Sequence, residues 1–112
     1  MRKAEFCGRS ASVIALGSMD FGGKIDGGQA FDFMDAYVEI GGNFIDTARM
    51  YGDFAKGVWG GSEEVIGRWM AARGNREEIV LSTKGAHPKQ KGIGRLGREE
   101  IKEDIQRSLD AL

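Results

Sequence analysis

The sequence predicts an α/β fold of parallel strands with covering helices. Three features lead there: short runs apolar on both faces, segments of helical period between them, and glycine or acidic residues at the joins. Val13-Ile14-Ala15-Leu16 ends at Gly17, Asn43-Phe44-Ile45 ends at Asp46, and Ile79-Val80-Leu81 continues through Ser82-Thr83 to Lys84. A run without polar alternation reads as a parallel strand covered on both sides.

Between the runs lie three expected helices. From Gln29 to Ile40, Ala30, Phe33, Met34, Tyr37 and Val38 recur at three- and four-residue steps, and Gly41-Gly42 supply a stop. Ser62 is the expected cap of a second helix, with Glu63 and Glu64 in its first turn where the helix dipole favours negative charge. Val65, Ile66, Trp69 and Met70 form its apolar face, and Gly74 ends it. A third helix starts at Arg98 behind Gly97, with Leu96 and Ile101 placed for a hydrophobic staple and a narrow face of Ile101, Ile105, Ser108, Leu109 and Leu112. Residues 2 to 12 suit a short hairpin turning at Gly8-Arg9.

Composition excludes several functions. The 112 residues carry 16 Lys+Arg against 17 Asp+Glu, a net charge of −1, which argues against nucleic-acid or membrane-surface binding driven by charge. With 41% hydrophobic and 29% charged residues the balance is globular. No apolar run approaches the roughly 20 residues of a membrane span, and none of signal-peptide length follows the basic start. A single cysteine, Cys7, has no intrachain disulfide partner, which points to the cytoplasm. Eighteen glycines, about twice the ordinary share, signal tight turns and close backbone approaches.

Three parallel strands alone leave two open sheet edges and an exposed apolar face, both of which favour self-association. The expected architecture for residues 1–112 is therefore the first three βα units of a (β/α)8 TIM barrel, an incomplete N-terminal part of one domain. A complete barrel takes about 250 residues. A small, complete three-layer domain that closes its sheet by self-association is the competing architecture.

In such a barrel, chemistry collects at the C-terminal strand ends. Those ends read Gly17-Ser18-Met19, then Asp46-Thr47-Ala48-Arg49-Met50-Tyr51-Gly52, then Lys84-Gly85-Ala86-His87-Pro88. An acid, a phenol and an amine thus share one rim. A tyrosine hydroxyl ordinarily titrates near ~10. A neighbouring ammonium favours its phenolate, and a carboxylate can hold that ammonium in place. Such a phenol can give a proton to a carbonyl oxygen as hydride reaches the carbon.

These residues resemble the aldo-keto reductase family. Asn43 to Gly52 is similar to its Phe-x-Asp-Thr-Ala-x-x-Tyr-Gly segment, and Gly61-Ser62-Glu63-Glu64-Val65-Ile66-Gly67 to its Gly-x-Ser-Glu-x-x-Leu-Gly element. Ser82-Thr83-Lys84 resembles its lysine strand, and Leu16-Gly17-Ser18-Met19 with Phe21-Gly22 its first strand and loop. The resemblance implies a barrel oxidoreductase that reduces aldehydes or ketones with NADPH, or NADH, and needs no metal. It implies Tyr51 as general acid/base, Lys84 as the cation that tunes it, and Asp46 as the partner of Lys84 and a contact to the cofactor ribose. Gly17, Ser18 and Met19 would flank the nicotinamide, and Arg49 and Met50 would lie near the substrate mouth. The family's catalytic histidine ends a fourth strand, so the role does not pass to His87, which follows the third.

His87 and Trp59 are retained as substrate-lining candidates, Trp59 because it sits on a glycine-rich loop near Tyr51. Gly92-Ile93-Gly94-Arg95-Leu96-Gly97 spells a dinucleotide fingerprint, but it follows the third strand instead of the first, which makes chance the better explanation. Lys89, Lys91, Arg95 and Arg98 read as a solvated basic loop. The alternative function is a non-catalytic fragment of the same fold that binds cofactor or a partner.

Overall fold

A computed structural model of the protein describes residues 1–52, 59–88 and 93–112. The chain runs β1 (Lys3–Phe6), β2 (Arg9–Ser12), β3 (Leu16–Gly17), α1 (Gly27–Glu39), β4 (Phe44–Asp46), α2 (Gly61–Arg73), β5 (Val80–Ser82) and α3 (Arg98–Ala111). The strands β3, β4 and β5 lie side by side in that order, all parallel, with α1 and α2 as the crossovers. Asp46 stands opposite Gly17 on one side and Ser82 on the other, so the three strands end level.

Side-chain direction alternates along each strand. Leu16, Ile45 and Leu81 are in register and pack toward the helices, joining Ala30, Met34 and Tyr37 of α1 and Val65, Ile66, Trp69 and Met70 of α2. Phe44, Asp46 and Ser82 therefore belong to the other face. Phe33, expected in the core, is 53% exposed, because the buried stripe of α1 runs Ala30-Met34-Tyr37. Val13 and Ile14 are also exposed. The first strand pairs only at Leu16 and Gly17, while the Val13 N–H bonds to the Arg2 carbonyl and closes the hairpin.

The hairpin turns at Cys7-Gly8, one residue before the expected position, since Phe6 pairs with Arg9. Both turn residues have positive φ, 49° and 76°, the geometry that matches a two-residue loop to strand twist. It packs at the N-terminal end of the sheet, where Phe6 meets Phe44 with ring centroids 5.0 Å apart. Asn43 ties it down, accepting from the Ser12 N–H at 2.8 Å and donating to the Ser10 carbonyl at 2.9 Å. The opposite end of the sheet is left for the site.

Helix ends explain the rest. Asp26 caps α1 by accepting from the Gln29 N–H. The cap of α2 is Gly60, at φ 83°, and not Ser62, which lies inside the first turn with its hydroxyl engaged elsewhere. At the start of α3, Gly97 donates its N–H to the Glu100 carboxylate at 3.1 Å. The Gly97 N–H is thus taken by the chain's own acid.

The expected apolar face of α3 is largely open. Ile101, Ile105 and Leu109 are exposed, Leu96 is 76% exposed and makes no staple, and the buried residues are Asp104 and Ser108. Arg95 is likewise not solvated: it is 5% exposed and bonds both Asp104 carboxylate oxygens, at 3.1 and 2.9 Å. Lys89, Lys91 and Gly92 lie outside the described residues. Among the described residues no helix is long and apolar enough to cross a membrane.

Candidate active site

The level strand ends bring three titratable side chains together. Lys84 lies two residues beyond β5, on the parity of Ser82, and so reaches inward to Asp46. Its Nζ donates to both Asp46 carboxylate oxygens, at 2.9 and 2.8 Å, and to the Thr47 carbonyl at 2.7 Å. An ammonium has three protons, and here each has an acceptor. The same Nζ stands 5.2 Å from the centroid of the Tyr51 ring, within range of its negative face. Tyr51 is held by its backbone, donating to the Ala48 carbonyl and accepting from the Ser62 N–H at 3.2 Å.

Beside this group opens a cavity of 270 Å³ lined by Gly17, Ser18, Met19, Asp20, Phe21, Ile25, Asp46 and Tyr51. Nothing lies within 4 Å of the position a Cβ would take on Gly17, so its floor is open to a flat group, and Met19 is 52% exposed. Ser18 is buried, and its hydroxyl donates to the Asp46 carbonyl at 2.9 Å, so it holds the strand end from behind.

Other predicted residues stand outside that cavity. The Arg49 guanidinium packs over Gly60 and lies 3.7 Å from the Glu63 carboxylate, with 15% of its side chain exposed. Met50 is half-buried and is not among the lining residues. Trp59 and His87 meet edge to face, with ring centroids 5.8 Å apart, and His87 Nδ1 lies 2.9 Å from the Pro88 carbonyl. Gly57 and Val58 beside Trp59 lie outside the described residues.

A layer of polar residues behind the rim, all buried except Thr83, escapes sequence reading. Ser18, Thr47 and Thr83 carry the outward hydroxyls of the three strand exits, and the first turn of α2 receives them. Ser62 Oγ lies 2.9 Å from Ser18 Oγ and 2.9 Å from Thr47 Oγ1, and also donates to the Ser18 carbonyl. Thr83 and Ser108 donate to the same Glu63 oxygen, at 2.7 and 2.6 Å. The adjacent Ser62-Glu63 pair resembles a helix-start signal, and that local reading conceals its tertiary role.

Comparison with known proteins gives the family of the chain. The family model described as the Aldo/keto reductase family matches residues 13–112. An aryl-alcohol dehydrogenase [NADP(+)] from Phanerodontia chrysosporium is 44% identical over 86 residues, which is 70% of this chain and 21% of that protein. A norsolorinic acid reductase from Aspergillus flavus is 40% identical over 106 residues, 88% of this chain and 25% of that protein. The chain thus spans a quarter or less of these relatives' length. An aldo-keto reductase from Klebsiella pneumoniae, solved in complex with NADPH, superposes with a TM-score of 0.69 at 28% identity, covering 91% of this chain and 31% of that one. The three βα units are those of a partial (β/α)8 barrel, and the chain belongs to the aldo/keto reductase family of oxidoreductases.

Proposed function

We propose that residues 1–112 are the N-terminal part of a single barrel domain that reduces a small-molecule aldehyde or ketone to an alcohol. In this reading Tyr51 is the general acid, Lys84 tunes it and Asp46 fixes Lys84. The observation that carries it is the triply bonded Lys84 ammonium beside the Tyr51 ring, next to the 270 Å³ cavity that Asp46 and Tyr51 line.

NADPH is the proposed cofactor, with NADH as the alternative; when bound, its nicotinamide supplies the hydride. The residues present fit it. Gly17 leaves room for a flat ring, Met19 offers an apolar edge, and the Asp46 carboxylate, with a side-chain exposure of 35%, is open to a ribose hydroxyl. Tyr51 holds the proton at its phenol oxygen until the substrate oxygen takes it. Lys84 keeps a positive charge near the phenolate that remains, and Asp46 prevents that charge from swinging into solvent.

The test uses the full product of the encoding gene, NADPH and an aromatic aldehyde, followed by loss of NADPH absorbance. Turnover is expected, with Tyr51→Phe lowering kcat by about 10²–10⁴-fold. Turnover unaffected by that substitution contradicts the assignment, and cofactor binding without turnover favours the non-catalytic alternative. The single cysteine, Cys7, is the basis for proposing a cytoplasmic setting. Self-association of the 112-residue chain through the open edges of β3 and β5 belongs to the same proposal, and light scattering after size exclusion measures it.

A further inference from the structure

The four residues that carry Lys84 lie beyond the last ladder pair of the sheet. β5 ends at Ser82, and Ala86 sits in the left-handed region at φ 64°, an unfavourable place for a residue with a Cβ. One backbone–backbone bond joins this segment to its neighbouring strand exit, from the Arg49 N–H to the Lys84 carbonyl, beside the three bonds of the Lys84 ammonium itself. The other anchors described for it are two buried carboxylates that the proposed chemistry does not use.

Glu63, on α2, is fully buried and accepts from the Thr83 hydroxyl at 2.7 Å, one residue before Lys84. Asp104, on α3, is 4% exposed and accepts from the Ala86 N–H at 2.8 Å, two residues after it. A Cβ on Gly85 would come within 3.0 Å of the Asp104 side chain, so the backbone lies directly against this acid. Each acid has a cation beside it: Arg95 bonds both Asp104 oxygens, and Arg49 lies 3.7 Å from Glu63. The second Glu63 oxygen, the one facing Arg49, is buried without a hydrogen bond, an arrangement that an apolar side chain would avoid.

We propose that Glu63 and Asp104 are positioning residues for the reaction. They grip the chain on either side of Lys84 from the helix layer, Glu63 through the Thr83 hydroxyl and Asp104 through the Ala86 N–H, and set where the ammonium meets Tyr51 and Asp46. Alternation makes the division of labour: Thr83 points out to its carboxylate, Lys84 points in to the site. The left-handed turn at Ala86 is retained because Asp104 holds its N–H. A charged acceptor holds a neutral donor more strongly than a neutral one does, which suits carboxylates to an anchor outside the ladder.

This inference rests on the reductase reading of Tyr51 and Lys84, and the experiment separates the two. In the full gene product, kcat, KM and the NADPH dissociation constant are measured for Glu63→Gln, Asp104→Asn, Thr83→Val, Thr83→Ser and Tyr51→Phe. The first three are expected to lower kcat about tenfold to a hundredfold with NADPH affinity unchanged, as for a displaced reacting group. Thr83→Ser keeps the hydroxyl and restores the rate, a rescue that general loss of stability would not give. Should a carboxamide variant fail to fold, the pair at Thr83 decides. Unchanged kcat in Thr83→Val and the foldable carboxamide variants, with Tyr51→Phe inactive, overturns the positioning proposal alone. Wild-type turnover in Tyr51→Phe removes the reading beneath it, and the proposal with it.

Discussion

Gly22 shows how a single missing Cβ shapes the neighbourhood of the site. It adopts φ 71°, and a Cβ there would lie 2.6 Å from the carbonyl carbon and oxygen of Gly61, where α2 begins. The loop after β3 and the start of α2 thus touch backbone to backbone, which brings Ser62 within reach of Ser18. Gly22→Ala adds left-handed strain and forces the two apart, with an expected loss of about 2–4 kcal/mol. The check is a lower midpoint of denaturant unfolding with an unchanged slope; an unchanged midpoint contradicts the packing argument. Gly42 is held to glycine in the same way, because a Cβ would enter the Tyr37 ring. Tyr37 in turn joins α1 to the strands, its hydroxyl lying 2.6 Å from the Ile14 carbonyl and 2.6 Å from Ser12 Oγ.

Between elements, α1 and α2 are joined by one polar tie on their outer side. Asp35 accepts from Arg73 at 3.0 and 2.6 Å and from the buried Trp69 indole at 2.8 Å. The Arg73 bond first, and then the Trp69 bond, pull the Asp35 carboxyl down to about 2. A carboxyl depressed in the folded state contributes stability above its unfolded value, near ~4, and the contribution fades as pH falls toward 2. Asp35 and Arg73 are 40% and 43% exposed, so water screens the pair and the effect is modest. Asp35→Asn is expected to melt lower than wild type at neutral pH, with the gap narrowing in acid; a gap independent of pH contradicts it. The helices themselves were legible because periodic apolar residues, as in Val65, Ile66, Trp69 and Met70, encode the face they bury. The polar ties were not. Asp35 to Trp69, Glu63 to Ser108 and Arg95 to Asp104 have no period, and each joins side chains whose meeting depends on tertiary packing. Arg95 read as solvated because its neighbours Lys89, Lys91 and Arg98 suggest an exposed basic loop, while its buried partner stands nine positions along.

Across the whole molecule, burial is uneven. The core lies between the sheet and α1 with α2, whereas α3 presents Ile101, Ile105 and Leu109 to solvent beside Leu81, around a groove of 440 Å³. A chain of this size seldom exposes a continuous apolar surface without consequence. The 112-residue chain is expected to bind an apolar dye such as ANS at this groove. Ile105→Lys, at a position 55% exposed, should lower the dye signal and shift stability by no more than about 0.5 kcal/mol; a large loss of stability would mean that Ile105 is part of the core. At this scale the order of strands and helices was readable from the sequence, and so was the rim at which Asp46, Tyr51 and Lys84 gather. The pairing of Arg49 with Glu63 of α2 was not, because the two meet only once the chain has turned at Arg49-Met50.

The most direct measurement is a double-mutant cycle on the full gene product with Tyr51→Phe, Lys84→Met and the pair together, comparing kcat for carbonyl reduction by NADPH. If the ammonium acts through the phenol, its removal costs almost nothing further once the phenol is gone, and the double variant matches Tyr51→Phe alone. Independent losses that multiply in the double variant would show that the two side chains, though 5.2 Å apart from Nζ to ring centroid, do not work as one proton donor.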